Sequence, residues 1–193
     1  MPSLRMWQFL AVSLGACSTY HYSNDPYIGG IRAFDKKDYE MAKRQWEPLA
    51  KSGDCDAQYR LGTLYFLGWG VAQDYETAQQ LWLSAADRGQ ASAQMLLATM
   101  YAHNNMSVKT MGSTTWFDCQ TGCGYEKDML LAYQWMKLSE RLTPYESGRR
   151  FARARSEQYR QSLTEEQRLT ADRYVRDWKA LPFQCEQREI VNA

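Results

Sequence analysis

Histidine is scarce. The chain holds two, His21 and His103, among 193 residues. No motif sets either beside a serine or cysteine with an orienting carboxylate, which argues against a histidine-based catalytic constellation. An excess of one charge is missing as well, with 23 Lys and Arg against 22 Asp and Glu. So even a balance supplies no electrostatic pull toward nucleic acid, and no nucleic-acid partner is expected. The mostly apolar run from Met6 to Leu14 is too short to span a bilayer. No glycine-rich phosphate cradle occurs: Gly68-x-Gly70 matches none of the longer nucleotide fingerprints. No catalytic residue and no cofactor are therefore expected.

What the chain does have is a repeat. Adding 36 carries Asp38-Tyr39 onto Asp74-Tyr75, Ala42 onto Ala78, Trp46 onto Trp82 and Gly53 onto Gly89. The same step carries Ala57-Gln58 onto Ala93-Gln94, Leu61 onto Leu97 and Tyr65 onto Tyr101. A fixed period of this length predicts stacked helix pairs, each burying its apolar face only against its neighbours. The first helix of a unit spans about Cys55 to Leu67, with Tyr59, Leu61, Leu64 and Tyr65 near one stripe. Gly62, and Ala98 one period on, let a partner helix approach closely. Gly68 and Gly70 permit the turn, Asp74 caps the second helix, and Gly89 ends it as a left-handed residue.

Beyond Tyr101 the register returns with an offset of 54: Gly68-Trp69-Gly70 maps onto Gly122-Cys123-Gly124, Asp74 onto Asp128 and Ala78 onto Ala132. The excess over one period places an insertion at about 104–121, whose Asn, Ser, Thr, Gly and Met content reads as a loop. Insertions in such arrays fall on one face, often the binding face.

The run Ala57-Gln58…Leu61-Gly62…Tyr65…Gly68-x-Gly70-Val71…Asp74-Tyr75…Ala78…Trp82…Ala85-Ala86…Gly89 resembles the Sel-one-like repeat of the tetratricopeptide-like superfamily. The resemblance covers about Tyr27 to Trp178. It implies an all-α fold, an α-solenoid of antiparallel helix pairs in a right-handed superhelix, acting as a protein-interaction scaffold without catalytic residues. The stretch Asp38-Tyr39…Trp46-Glu47-Pro48-Leu49-Ala50…Gly53-Asp54 is similar to the opening helix of bacterial members, and Leu163-Thr164-Glu165-Glu166-Gln167…Asp177-Trp178 to their closing helix. Ser139-Glu140 stands where the repeat usually has Ala-Ala, which marks a modified end unit.

The N-terminus reads as targeting. Arg5 precedes the apolar run, and Leu14-Gly15-Ala16-Cys17 resembles the bacterial lipoprotein box. In that class the signal, here 1–16, is cleaved and the thiol of Cys17 is acylated. Residues 17–26 would tether a repeat domain at 27–180, with a tail at 181–193. In a Gram-negative source, Ser18 after the cysteine favours the outer membrane, facing the periplasm. Without Arg5 the chain is neutral. Pro144 opens a helix of about 145–162, and Thr164 with Gln167 forms a capping box for a last helix that reaches about Ala180 and buries Ala171, Tyr174, Val175 and Trp178. The acidic pairs Asp35/Asp38 and Glu165/Glu166 read as helix-start residues.

With Cys17 lipidated, Cys55, Cys119, Cys123 and Cys185 remain, an even number suited to disulfides outside the cytosol. Cys119 and Cys123 are close enough to bridge and pin the insertion. Cys55 and Cys185, at opposite ends of the array, pair or stay free. A zinc site is the competing reading, but a three-residue gap with only His103 nearby is a poor ligand set, so no metal is expected.

Trp46, Trp82, Tyr39, Tyr75 and Tyr65 recur with the period and read as core. Trp69, Trp116 and Phe117 do not recur, so they are candidate contact residues, or else fold onto their own scaffold. On the concave surface formed by the first helices, Tyr59, Arg60, Thr63, Phe66, Met95 and Thr99 lie off the most periodic stripe and are candidates for binding a protein or peptide. Arg149, Arg150, Arg153 and Arg160 give the penultimate helix a basic face, solvated or facing an acidic partner or lipid headgroups. The resulting expectation is a lipid-anchored envelope adaptor; the alternative is a protein that binds or modifies cell-wall peptidoglycan or glycan.

Overall fold

The computed structural model describes residues 25–102, 126–181 and 185, with the strand backbones at 105–110 and 113–118. In chain order it holds α1 (Pro26–Asp35), α2 (Tyr39–Lys51), α3 (Cys55–Leu67), α4 (Tyr75–Asp87), α5 (Ala91–Ala102), β1 (Asn105–Thr110), β2 (Ser113–Asp118), α6 (Met129–Leu142), α7 (Glu146–Arg160) and α8 (Glu165–Asp177). Aspartates start most of these helices. Asp25, Asp38, Asp54, Asp74 and Asp128 each accept a hydrogen bond from a backbone N–H two or three residues on, satisfying a donor that the helix itself leaves open. Asp35, expected at a helix start, instead ends α1. Thr164 and Gln167 close the expected capping box on α8.

The helices form an α-solenoid in which α1 packs on α2, α3 on α4 and α5 on α6, and each pair packs on the next. Trp46 and Trp82, both fully buried, hold the first two pairs together. Each indole N–H donates to a carbonyl of the facing helix at 3.1 Å, Trp46 to Tyr27 and Trp82 to Tyr59. Both rings lie against a glycine, Gly30 and Gly62, where any Cβ would collide with the indole. The third pair substitutes both partners: the period puts Ala98 in the glycine position and the offset puts Met136 in the tryptophan position, both buried.

Gly70, at φ +67°, brings the α3–α4 turn against the start of α2, where a Cβ would lie 2.7 Å from the backbone N of Glu40. Buried glutamines repeat as well. Gln58 donates to the Ala50 carbonyl at 3.0 Å and Gln94 to the Ala86 carbonyl at 2.9 Å, stitching each pair to the one before.

The loop expected at 104–121 holds an antiparallel hairpin, with Asn105 paired to Asp118 and Thr110 to Ser113. Its polar composition pointed to a loop. Its β-branched and aromatic residues, Val108, Thr110, Thr114, Thr115, Trp116 and Phe117, are strand formers.

The closing elements depart from a fourth regular pair. Both α7 and α8 pack on α6. The Tyr133 hydroxyl donates to Asp172 at 2.6 Å, and Arg141 donates to the carbonyls of Val175 and Trp178 at 2.8 and 3.1 Å. Tyr174, expected to be buried, is 42% exposed, because α8 meets the array along one narrow face centred on Ala171. Beyond α8 the chain doubles back along the end of α4: Leu181 N–H donates to Asp87 and Cys185 N–H to Arg88.

Candidate functional site

The first helices of the three pairs, α1, α3 and α5, and the closing helix α7 are tied in a row by side chains. Arg60 of α3 hydrogen-bonds the Tyr27 hydroxyl of α1. Gln90, just before α5, donates to Asp56 of α3 at 3.1 Å. Thr99 of α5 hydrogen-bonds Tyr159 of α7. The second helices α2 and α4 supply Trp46 and Trp82 behind this row.

The sequence candidates divide on it. Tyr59, Arg60, Met95 and Thr99 remain partly exposed. Phe66 is fully buried, packed against Tyr75 and Trp82 with ring centroids 5.2 Å apart in both cases. It lies one turn beyond Gly62 and faces the second helix, so it belongs to the core. Thr63 is 9% exposed and returns its hydroxyl to the Tyr59 carbonyl, as Thr99 does to Met95, both at 2.9 Å. Trp69 folds onto its own scaffold: it stacks on Tyr39 at 4.7 Å and leans on Phe34 at 5.9 Å. What remains of the candidates on the row is Tyr59, Arg60, Met95 and Thr99. Leu96, which follows Arg60 by one period and is partly buried, was missed; adding 36 to Arg60 finds it. Burial pushes the Tyr59 hydroxyl above its ordinary pKa.

Trp116 and Phe117 lie on β2, paired with Ser107 and Met106, and their side chains fall outside the described residues, as do Cys119, Cys123, His103 and Cys17. Cys55 and Cys185, set at opposite ends by sequence distance, are joined in a disulfide with Cα atoms 5.5 Å apart. The returning tail makes this meeting possible. Among the described residues no group of three His, Cys, Asp or Glu is placed to hold a metal ion, and no helix is long and apolar enough to cross a membrane.

The basic face of α7 is partly neutralised. Arg149 pairs with Glu146 at 2.8 Å, Arg153 with Glu140 at 2.8 Å, and Arg160 approaches Glu157 at 3.9 Å. Ser147, Arg150, Phe151 and Ala154 line a shallow open groove on the outer side. The Ser139-Glu140 departure is explained here. The buried Ser139 hydroxyl donates to the Ala91 carbonyl at 2.9 Å, and Glu140 reaches Lys137 and Arg153, joining α6 to α7.

Sel1 repeats match the chain at residues 55–90 and 119–142. These are the pair α3–α4 and the segment leading through α6; the third pair is split by its hairpin. No curated protein matches. Among solved structures, the chain is similar to the crystal structure of a protective antigen present in uropathogenic Escherichia coli strains, which displays an SLR fold. The TM-score is 0.60 at 21% identity, over 81% of this chain and 30% of that one. The present chain thus spans less than a third of that protein's length, and the likeness concerns the fold.

Proposed function

We propose that the protein is a lipid-anchored scaffold of the bacterial cell envelope that binds a protein or peptide through the row of its first helices. The observation that carries this reading is the row itself. Its helices are tied to one another by side chains, and Tyr59 and Arg60 of α3 with Met95 and Thr99 of α5 stay partly exposed on it. A helix-repeat surface of this kind is an extended binding platform. The envelope part of the reading has two supports. The Leu14-Gly15-Ala16-Cys17 box resembles a lipidation signal. The Cys55–Cys185 disulfide suits an oxidising compartment outside the cytosol.

Affinity capture from detergent-solubilised membranes tests the binding role. A stoichiometric protein partner is expected with the native chain, and Tyr59→Ala combined with Met95→Ala should lose it while the fold survives. Capture of a glycan and no protein would overturn the scaffold reading in favour of cell-wall binding. For the anchor, Cys17→Ser should release the chain from membranes or leave an unprocessed precursor; membrane partition at the normal mature mass would refute lipidation.

A further inference from the structure

Arg60 is a largely enclosed cation whose charge Asp56 favours through space. It joins none of the ion pairs formed among the described residues. Its Nε is buried and has no hydrogen-bond partner. Its guanidinium lies 5.8 Å from the ring centroid of Tyr59, and its one polar tie to a neighbouring helix is the neutral hydroxyl of Tyr27. Asp56, one turn earlier, is engaged by Gln90. Desolvation opposes the Arg60 charge, and what Asp56 contributes through space comes without an ion pair to hold the guanidinium. Helix packing does not require it either: the equivalent position of the next unit is Leu96, so the array accepts an apolar side chain there.

We propose that Arg60 receives a carboxylate of an extended peptide bound across the first-helix row, and that Leu96 with Met95 receives an apolar side chain farther along the same peptide. The assignment rests on the peptide-binding reading above and specifies its chemistry. Between them α3 and α5 carry one basic residue, Arg60. A single planar guanidinium matches a single planar carboxylate, whereas a phosphate dianion would be left half-neutralised. In bidentate pairing a carboxylate takes Nε together with a terminal nitrogen, so the outward-turned side chain satisfies the donor that is orphaned in the free chain. Neighbouring helices stand roughly 8–10 Å apart, and a peptide extended as polyproline II rises about 3.1 Å per residue and returns every third side chain to the same face. The acid and the apolar residue should therefore be about three positions apart.

The test uses the full-length protein in detergent and random linear peptides displayed on phage. The expected selection is Asp or Glu with an apolar residue about three positions away. A synthetic peptide carrying that sequence should lose about tenfold in affinity when its acid becomes the amide, the loss of one charge-assisted pair. Arg60→Leu should remove the requirement for an acid and keep the apolar one; Arg60→Lys should keep both with weaker binding. If Arg60→Leu fails to fold by circular dichroism, the acid-to-amide comparison on the native protein decides alone. Selected peptides without an acid, or an unchanged acidic preference in Arg60→Leu, would overturn the role of Arg60 and leave peptide binding standing. Tighter binding of a phosphoserine peptide would overturn the carboxylate class. No selection of any peptide would remove the peptide reading, and this assignment with it.

Discussion

The indole of Trp82 lies directly on Gly62, so that a Cβ at residue 62 would stand 2.7 Å from Trp82 Nε1 and 3.2 Å from the carbonyl oxygen of Ala78. Gly62→Ala should therefore destabilise the protein by about 1–3 kcal/mol through overpacking, reduced by the roughly 1 kcal/mol that alanine gains over glycine inside a helix. Trp82→Ala should cost about 3–5 kcal/mol as a core truncation. The third unit, with Ala98 and Met136, supplies the internal control. In a Trp82→Met background, Gly62→Ala should become neutral or stabilising. Urea unfolding of the four proteins measures the coupling, and strict additivity would show that the indole is not what excludes the methyl group.

The Cys55–Cys185 disulfide closes a loop across a sequence separation of 130. In the chain-entropy account a loop of this size contributes about 4–5 kcal/mol. Replacing both cysteines by serine should lower the melting temperature clearly and free the segment beyond α8. Peptide mapping under non-reducing conditions should recover the Cys55 and Cys185 peptides as one species; free thiols at both positions would contradict the bond.

Glu140 provides a pH test. Burial raises the pKa of its carboxyl, but hydrogen bonds from Lys137 and Arg153 outweigh this and hold it below the usual glutamate range. A depressed carboxylate contributes stability that is present above its unfolded pKa, about 4.3, and is lost as pH falls through the lower folded value. Glu140→Gln should cost roughly 1 kcal/mol at neutral pH. Its stability should then approach that of the native chain on acidification. Parallel curves from pH 7 down to acid unfolding would refute the contribution.

Thr164 anchors α8 through its capping box, which holds Gln167 N–H at 3.3 Å and returns the Gln167 side chain to Thr164 N–H at 2.9 Å. Thr164→Ala should cost about 1 kcal/mol. Because α8 meets the array mainly through Ala171, the loss should appear first as faster amide exchange in α8, with α3 and α4 unchanged. Uniform exchange across the array would show that α8 does not open on its own.

Much of the fold was legible because a stacked repeat writes its contacts locally. The 36-residue spacing of Trp46 and Trp82 reports a position that each unit fills from its own second helix. Asp74 and Thr164 signal their helix starts within three residues. The hairpin was hidden because polarity and β-branching point in different directions at 105–118. The Cys55 pairing was hidden because it depends on the path of the chain after Asp177, which no period describes. Phe66 and Trp69 mark the same limit at the site. Both lie off the main stripe, and only packing shows that one enters the core and the other stacks on Tyr39.

An open stack of helix pairs can loosen from either end, since each unit leans only on its neighbours. The link between Cys55 and Cys185 removes that freedom on one side. Residue 185 follows the last helix and residue 55 opens the third, so α3 through α8 lie within one covalent circle. Peeling α8 away does not release the end of the chain, which stays fastened near the middle of the array. Only α1 and α2 remain outside the circle. Under a pull on the chain ends, the N-terminal pair is thus the one unit that can be drawn out to full length with the disulfide intact. Tension applied at the N-terminus would reach that pair first.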